Sequence, residues 1–294
     1  MAPQDDRGRS LHVRPGVGMS ASIVQKQALR FSRIFVDQPT LIVLRYGRKV
    51  LQSDGKEWSL GDGEAIVLAG GQTFDFSNRP AVHGAYEAQW LIWDPTLIQK
   101  HALPKSKKPM IKGAAPLGRP NDEFMATFDR AWSAINTMDG LSTEVARHRM
   151  AEVLVWLSMS EIHFQLREEL SLATKVRRLV ESAPGGQWSI ASIANHFALS
   201  EATLRRHLAA EGTTLGTLVV DTRMALAMTL LQSTDAPVGN IALDLGYESA
   251  SRFAVRFRQR FGFPPTAIRG HTRHGETVPN QKSLQKASPT SQYQ

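Results

Sequence analysis

The chain has 294 residues, 42% of them hydrophobic, a formal net charge of +8 and no cysteine. That length predicts two domains, each with a core of its own. The absence of cysteine excludes disulfide staples and thiolate chemistry, as suits a reducing cytoplasm.

No apolar run approaches the length of a membrane span, and the opening MAPQDDRGRS lacks a signal-peptide core. A soluble, cytoplasmic protein without a membrane partner is therefore expected. Residues 1–112 and 171–294 are net positive and residues 113–170 net negative. A basic C-terminal third suits a polyanion, because neutralising phosphates releases counterions.

Residues 1–20 read as a polar, flexible arm carrying Arg7, Arg9 and Arg14. From Leu29 to Trp93 the pattern has the period of strands: LRFSRIFV, TLIVLRY, KVLQS, GEAIVLAG, TFDFS and AYEAQWLIW. Turns rich in Gly, Asp, Asn and Pro separate them, which predicts a small barrel or sandwich over residues 21–102. Alternation sets Arg33 on the face of Leu29, Phe31 and Phe35, and Arg45 on the face of Leu41 and Val43. If those faces point inward, each arginine needs an internal carboxylate, with Glu87 a candidate, or an anionic ligand. A metal enzyme would need clustered ligands. The barrel region offers only His83, with His101 just beyond, and nucleophile-elbow, phosphate-loop and dinucleotide signatures are missing. No cofactor, metal or catalytic residue is expected.

Residues 103–120, rich in proline and lysine, read as a linker. Two amphipathic helices follow within residues 121–168, the first capped by Asn121 and the second starting at Ser142. The second carries Met150, Trp156 and Met159 and is the expected dimer contact. Residues 171–270 form an all-α domain in which one device is written twice. In the first copy, Ile190, Ile193, Ala194 and Phe197 recur at helical spacing, Ser200 can cap a new helix, and Leu204 and Leu208 form its inner stripe. In the second, Val238, Ile241, Ala242 and Leu245 support, Gly246 turns, Ser249 caps, and Phe253, Phe257 and Phe261 are the stripe. Two short helices at a tight turn describe a helix-turn-helix, and Leu215 to Gln232 reads as a long helix joining the pair. Residues 271–294 have little to bury and read as a disordered tail.

The second copy closes on residues that resemble the AraC/XylS family of transcriptional regulators: Ile241, Ala242, Gly246 and Tyr247, then Ser251 and Phe253, then Phe261-Gly262, Pro265 and Arg269. Arg223 and Ala227 match the linker helix of that family, and Ile268 departs from its usual aromatic residue. The resemblance covers roughly the last third of the chain. It implies a regulator, read here as an activator, with double-stranded DNA and RNA polymerase as partners, acting as a homodimer. The run around Asp54 to Leu68 is similar to the cupin-like barrel of many such regulators. The fold expected is thus α+β: a cupin-like β-barrel with dimerisation helices, then two helix-turn-helix motifs.

A recognition helix presents its first turns to base edges in the major groove. The outward residues are Ala202, Arg205 and Arg206 in the first copy, and Ala250, Ser251, Arg252, Val255 and Arg256 in the second, with Arg258 and Arg260 placed for phosphate. Arginine pairs with guanine through two parallel hydrogen bonds, and Ala, Ser and Val can meet a thymine methyl. The expected effector is small and anionic, held by Arg33, Arg45 and Arg30 and covered by Arg7 or Arg9, because guanidinium forks match phosphate and carboxylate. Cyclic di-GMP is the concrete candidate. Two other readings stand beside it: a regulator controlled by a protein partner, with a filled barrel, and a cupin-type metalloenzyme fused to a DNA-binding domain.

Overall fold

The computed structural model describes residues 9–82, 84–101, 111–137, 140–164 and 170–269. Arg7, His83, the lysine cluster of residues 105–108 and the tail 271–294 lie outside the described residues.

Ten strands come first: β1 (Ser10–Arg14), β2 (Gly18–Gln25), β3 (Leu29–Val36), β4 (Thr40–Tyr46), β5 (Arg48–Ser53), β6 (Lys56–Leu60), β7 (Ala65–Leu68), β8 (Gln72–Arg79), β9 (Tyr86–Trp93) and, after helix α1 (Pro95–His101), β10 (Ala114–Gly118). They pair as two antiparallel sheets, β1-β2-β9-β4-β7-β10 and β3-β8-β5-β6. Among the described residues these two sheets face each other. Ile42, Leu44, Leu68 and Ala88 of the larger sheet meet Phe31, Leu51, Phe74 and Phe76 of the smaller in one core. Central strands such as β4 and β7 are buried on both faces and so read as unbroken apolar runs.

Two sequence expectations are corrected here. Much of the flexible arm to residue 20 is the β1–β2 hairpin. Arg14 is 6% exposed and donates to the carbonyls of Ala134 (2.7 Å), Thr137 (3.2 Å) and Leu141. It therefore satisfies carbonyls that the end of a helix leaves unpaired. The second correction is that part of the linker is strand: Ala114–Gly118 completes the larger sheet beside β7.

Two helices cover the larger sheet: α2 (Asp122–Asn136), capped by Asn121, and α3 (Thr143–Met159), capped by Ser142. Phe124, Phe128, Ile135, Val153 and Leu157 pack there against Leu41, Val43 and Leu91. Met150, expected on an outer dimer face, is fully buried, and its carbonyl accepts from Trp93 Nε1 at 3.0 Å. Val145, Val155 and Met159 are the apolar residues that α3 leaves exposed.

The helical domain runs α4 (Leu172–Ser182), α5 (Ile190–His196), α6 (Glu201–Ala210), α7 (Leu215–Ser233), α8 (Val238–Asp244) and α9 (Ala250–Phe261), then a short 3-10 turn from Pro265 to Arg269. Serine starts four of these helices, with Ser171 capping α4 through Thr174 N. Ser189 and Ser192 form a reciprocal capping box on α5, Ser200 caps α6 through Thr203 N, and Ser249 caps α9 through Arg252 N. Gly246 turns α8 into α9 at φ +78°, a conformation that favours glycine, where an added Cβ would meet the Arg223 guanidinium at 2.8 Å and the Gly185 backbone at 3.0 Å.

Candidate DNA interface and effector cavity

In both units the buried stripe fixes which face of the second helix is left to solvent. Leu204 and Leu208 are buried in α6, as are Phe253, Phe257 and Phe261 in α9. Ala202, Arg205 and Arg206 lie exposed on α6, and Ala250, Ser251, Arg252, Val255, Arg256 and Arg258 exposed on α9. Ser251, Arg252, Val255 and Arg256 line a shallow depression with Gln259. A glutamate stands at the start of each helix: Glu201 in the first turn of α6 pairs with Arg205 at 3.1 Å, and Glu248, just before the Ser249 cap of α9, pairs with Arg252. Arg260 is a correction. It is not available for phosphate, because its Nε donates to Asp221 Oδ1 (3.1 Å) and its NH2 to the Arg33 carbonyl (3.1 Å).

α7 holds the two units. Leu215 and Leu218 at its start share a core with α4, α5 and α6. Met224, Ala227, Met228 and Leu231 further along share one with α8, α9 and the sheets. Arg223 donates to the carbonyls of Pro184 and Gly186, both at 2.8 Å, and so fixes the rod to the loop after α4. Further contacts join the domain to the sheets. Arg178 donates to Asp37 at 2.8 Å, and Phe31 meets Phe263 with ring centroids 5.9 Å apart.

The arginines expected at an effector do not converge. Arg33 sits in a bulge of β3 at φ +55°, which breaks the alternation between Phe31 and Ile34. It is turned outward, 3.9 Å from Asp221. Arg45 pairs with Gln89 (2.7 Å) and Asp129 of α2 (2.6 Å), not with Glu87. Arg30 is exposed near Gln52 and Asp75, and Arg9 bonds the Val24 carbonyl and Asp235. Arg33 and Arg45, on different sheets, therefore each have a carboxylate partner on a helix, Asp221 of α7 and Asp129 of α2.

The interior is nevertheless not filled. A cavity of about 240 Å³ lies between the sheets, α4 and α7, lined by apolar residues such as Phe31, Ile42, Trp90, Leu226 and Met228. Lys49, absent from the sequence-based site, lines it with 1% exposure. Its Nζ donates to Asn78 Oδ1 at 3.0 Å and lies 4.4 Å from the centre of the Phe76 ring. No carboxylate pairs with it among the described residues, and burial pulls its ammonium down to about 7. Trp90 Nε1 is buried nearby without a hydrogen-bond partner. From Asn78 a polar chain continues to Gln25 Oε1 (3.4 Å), which also accepts from Gln232 of α7 at 3.3 Å. A buried cation inside the sheets is thus joined by side chains to the rod between the two recognition units. The signal in the sequence was Lys49 sharing the strand face of Leu51.

Among the described residues no three His, Cys, Asp or Glu side chains come together as a metal site. No single described helix is long and apolar enough to cross a membrane.

Comparison with known proteins adds the following. Residues 193–271 match the family model of a helix-turn-helix domain. The chain is 31% identical over 134 residues to the HTH-type transcriptional regulator YdeO of Escherichia coli, covering 43% of this chain and 53% of YdeO. It is 38% identical over 98 residues to the ornithine utilization regulator of Pseudomonas aeruginosa, covering 33% of this chain and 29% of that protein. The chain thus spans about half the length, or less, of these curated relatives. Among solved structures it is similar to an apo ToxT variant from Vibrio cholerae, with a TM-score of 0.64 at 14% identity, over 87% of this chain and 97% of that one. Unsaturated-fatty-acid-bound ToxT is similar with a TM-score of 0.61 at 14% identity, over 89% and 100%. At that identity the likeness describes the fold of both domains together.

Proposed function

From its membership of the AraC/XylS family of transcriptional regulators, we propose that this chain binds specific duplex DNA through α6 and α9, and that a small amphipathic anion in the cavity sets how well it does so. The observation that carries the effector half is Lys49: a buried cation with no carboxylate partner among the described residues, at the wall of an apolar space. An unpaired buried charge is costly, and a ligand carboxylate beside it would offset that cost while its tail fills the space. Asn78 and the idle Trp90 Nε1 can orient the head group. The fatty acid named with the ToxT structure is the chemistry this pocket would take. A small molecule is favoured over a protein partner because the interior is not filled. Cyclic di-GMP held by Arg33 and Arg45 is set aside, since those two side chains face different surroundings.

The mechanism is a shift between arrangements of the two recognition units. The cavity is lined by Leu226, Met228 and Gln232 of α7, so a ligand that prefers one position of that helix biases how α6 and α9 are spaced for successive major grooves. Dimerisation through Val145, Val155 and Met159 of α3, and activation through RNA polymerase, complete the reading. The test is fluorescence anisotropy on promoter fragments with and without decanoate. A preferred fragment whose affinity moves with decanoate in the wild type but not in Lys49→Met supports it. Indifference to decanoate in the wild type rejects the effector half, and indifference to DNA sequence rejects the whole.

A further inference from the structure

The outer face of the smaller sheet holds a second, unrelated concavity of about 390 Å³, lined by Arg30, Arg48, Gln52, Glu57, Asp75 and Arg79 among others. Strand register arranges these side chains in rows. Arg48 of β5 stands directly opposite Arg79 of β8. One pleat along, Ser59, Val50, Ser77 and Arg30 lie in line across all four strands. One pleat further, Glu57, Gln52 and Asp75 lie in line. The first and third rows are four residues apart on β5, roughly 13 Å at about 3.3 Å per residue.

Like charges directly opposite on neighbouring strands destabilise a sheet. The Arg48 guanidinium has only the Ser59 hydroxyl, at 3.1 Å, and Arg79 has no hydrogen bond or ion pair among the described residues. Arg30 reaches Gln52 and Asp75 only at 3.4 and 3.5 Å. Arg48 and Arg79 therefore stand side by side with their donors largely unspent at one end of the groove, and Arg30, one pleat along, reaches towards the acceptors Gln52 and Asp75 at the other. Neither DNA recognition nor the Lys49 cavity uses them.

We propose that this groove binds a phosphorylated polyol, a sugar phosphate or mononucleotide, with the phosphate on Arg48 and Arg79, Arg30 between the two ends, and the hydroxyl groups on Gln52, Glu57 and Asp75. Guanidinium forks suit phosphate oxygens, and carboxylate and amide oxygens accept from sugar hydroxyls. The row spacing matches a molecule with a phosphate at one end and hydroxyl groups at the other. The site is separate from the DNA-binding reading and does not depend on it.

Calorimetry on the whole chain tests this with ribose 5-phosphate, AMP, ribose and inorganic phosphate. Ribose 5-phosphate or AMP should bind, the tighter of them naming the form of ligand, with ribose and inorganic phosphate each about tenfold weaker or more because each engages one end. Arg48→Ala and Arg79→Ala should each weaken that binding about tenfold, while decanoate binding and the melting temperature stay as in the wild type. Inorganic phosphate binding as tightly as ribose 5-phosphate, or Arg79→Ala binding as the wild type does, would overturn the proposal. So would a parallel loss of affinity for random duplex DNA, which would make the arginine row a backbone contact. Loss of decanoate binding alone would count against the effector cavity and leave this groove standing.

Discussion

Around Leu204 and Leu208 the first recognition unit closes a core with α4 and the start of α7, whereas Phe253, Phe257 and Phe261 of the second merge with Phe31 and the sheets. The two share a motif, a serine cap and an arginine-bearing outer face, yet only one is continuous with the domain that holds the cavity. An event in the cavity therefore meets the far half of α7 directly, meets α9 through Phe31 and its contact with Phe261, and meets α6 through the rod, Glu181 of α4 and the Asp37–Arg178 pair. Duplication of a sequence device does not imply duplication of its mechanical role, because a helix pair is tied down by whatever lies behind its apolar stripe.

The sharpest way to break this comparison is in the cores. Phe257→Ala, at a fully buried ring between Phe253 and Phe261, should cost about 3–5 kcal/mol and loosen the second unit and the smaller sheet together. Leu208→Ala should cost about 2–5 kcal/mol and loosen the first unit alone. Hydrogen exchange reads both, and equal loss of protection in the sheets from either variant would refute the asymmetry. On DNA, Arg206→Ala should cost roughly 1–3 kcal/mol on the preferred sequence and relax base preference there. Equal weakening on random duplex would assign that arginine to the backbone.

Lys49→Met should remove the decanoate response and raise stability at neutral pH by on the order of 1–3 kcal/mol, because it deletes a buried, unpaired ammonium. The pH dependence has a definite sign. Lys49 titrates near 7 in the folded chain and at about 10.5 when exposed, so stability is lost as pH falls from 10.5 towards 7. Decanoate affinity runs the other way, weakening as pH rises above 7 and the ammonium is lost. A flat affinity between about pH 7 and about pH 9 would deny Lys49 the role of counter-ion. Smallest is Arg260→Ala, about 1–2 kcal/mol of interdomain docking, seen as a lower melting temperature with an unchanged salt dependence of DNA binding. A salt slope reduced by about one would return Arg260 to a phosphate contact after all.

The helical domain was legible in the sequence because its information is local. Ser200, Ser249, Gly246 and the leucine and phenylalanine stripes act within one or two turns of their own positions. Strands at 29–36, 40–46 and 86–93 were legible by alternation. The effector residues were not: a bulge turns Arg33 out of the face that alternation assigns, whereas Arg45 keeps the face of Leu41 and Val43, which α2 covers and where Asp129 pairs with it. β1 and β10 carry weak strand patterns and exist because a neighbouring strand is there to pair with. Ile268, a departure from the aromatic usual in the family, proves fully buried in the shared core. Arg260 looked like a phosphate contact because nothing in its helix reveals a partner 39 residues away.

The bulge in β3 has a practical corollary. By forcing φ positive at Arg33 it turns one carbonyl out of the sheet ladder, and that oxygen is the one Arg260 holds. Chimeras that graft this helical domain onto another regulator's sheets would need residues 31–34 transplanted along with it. Otherwise a ladder with no kink would leave the guanidinium without its acceptor, and the hybrid would carry two sound halves that no longer communicate.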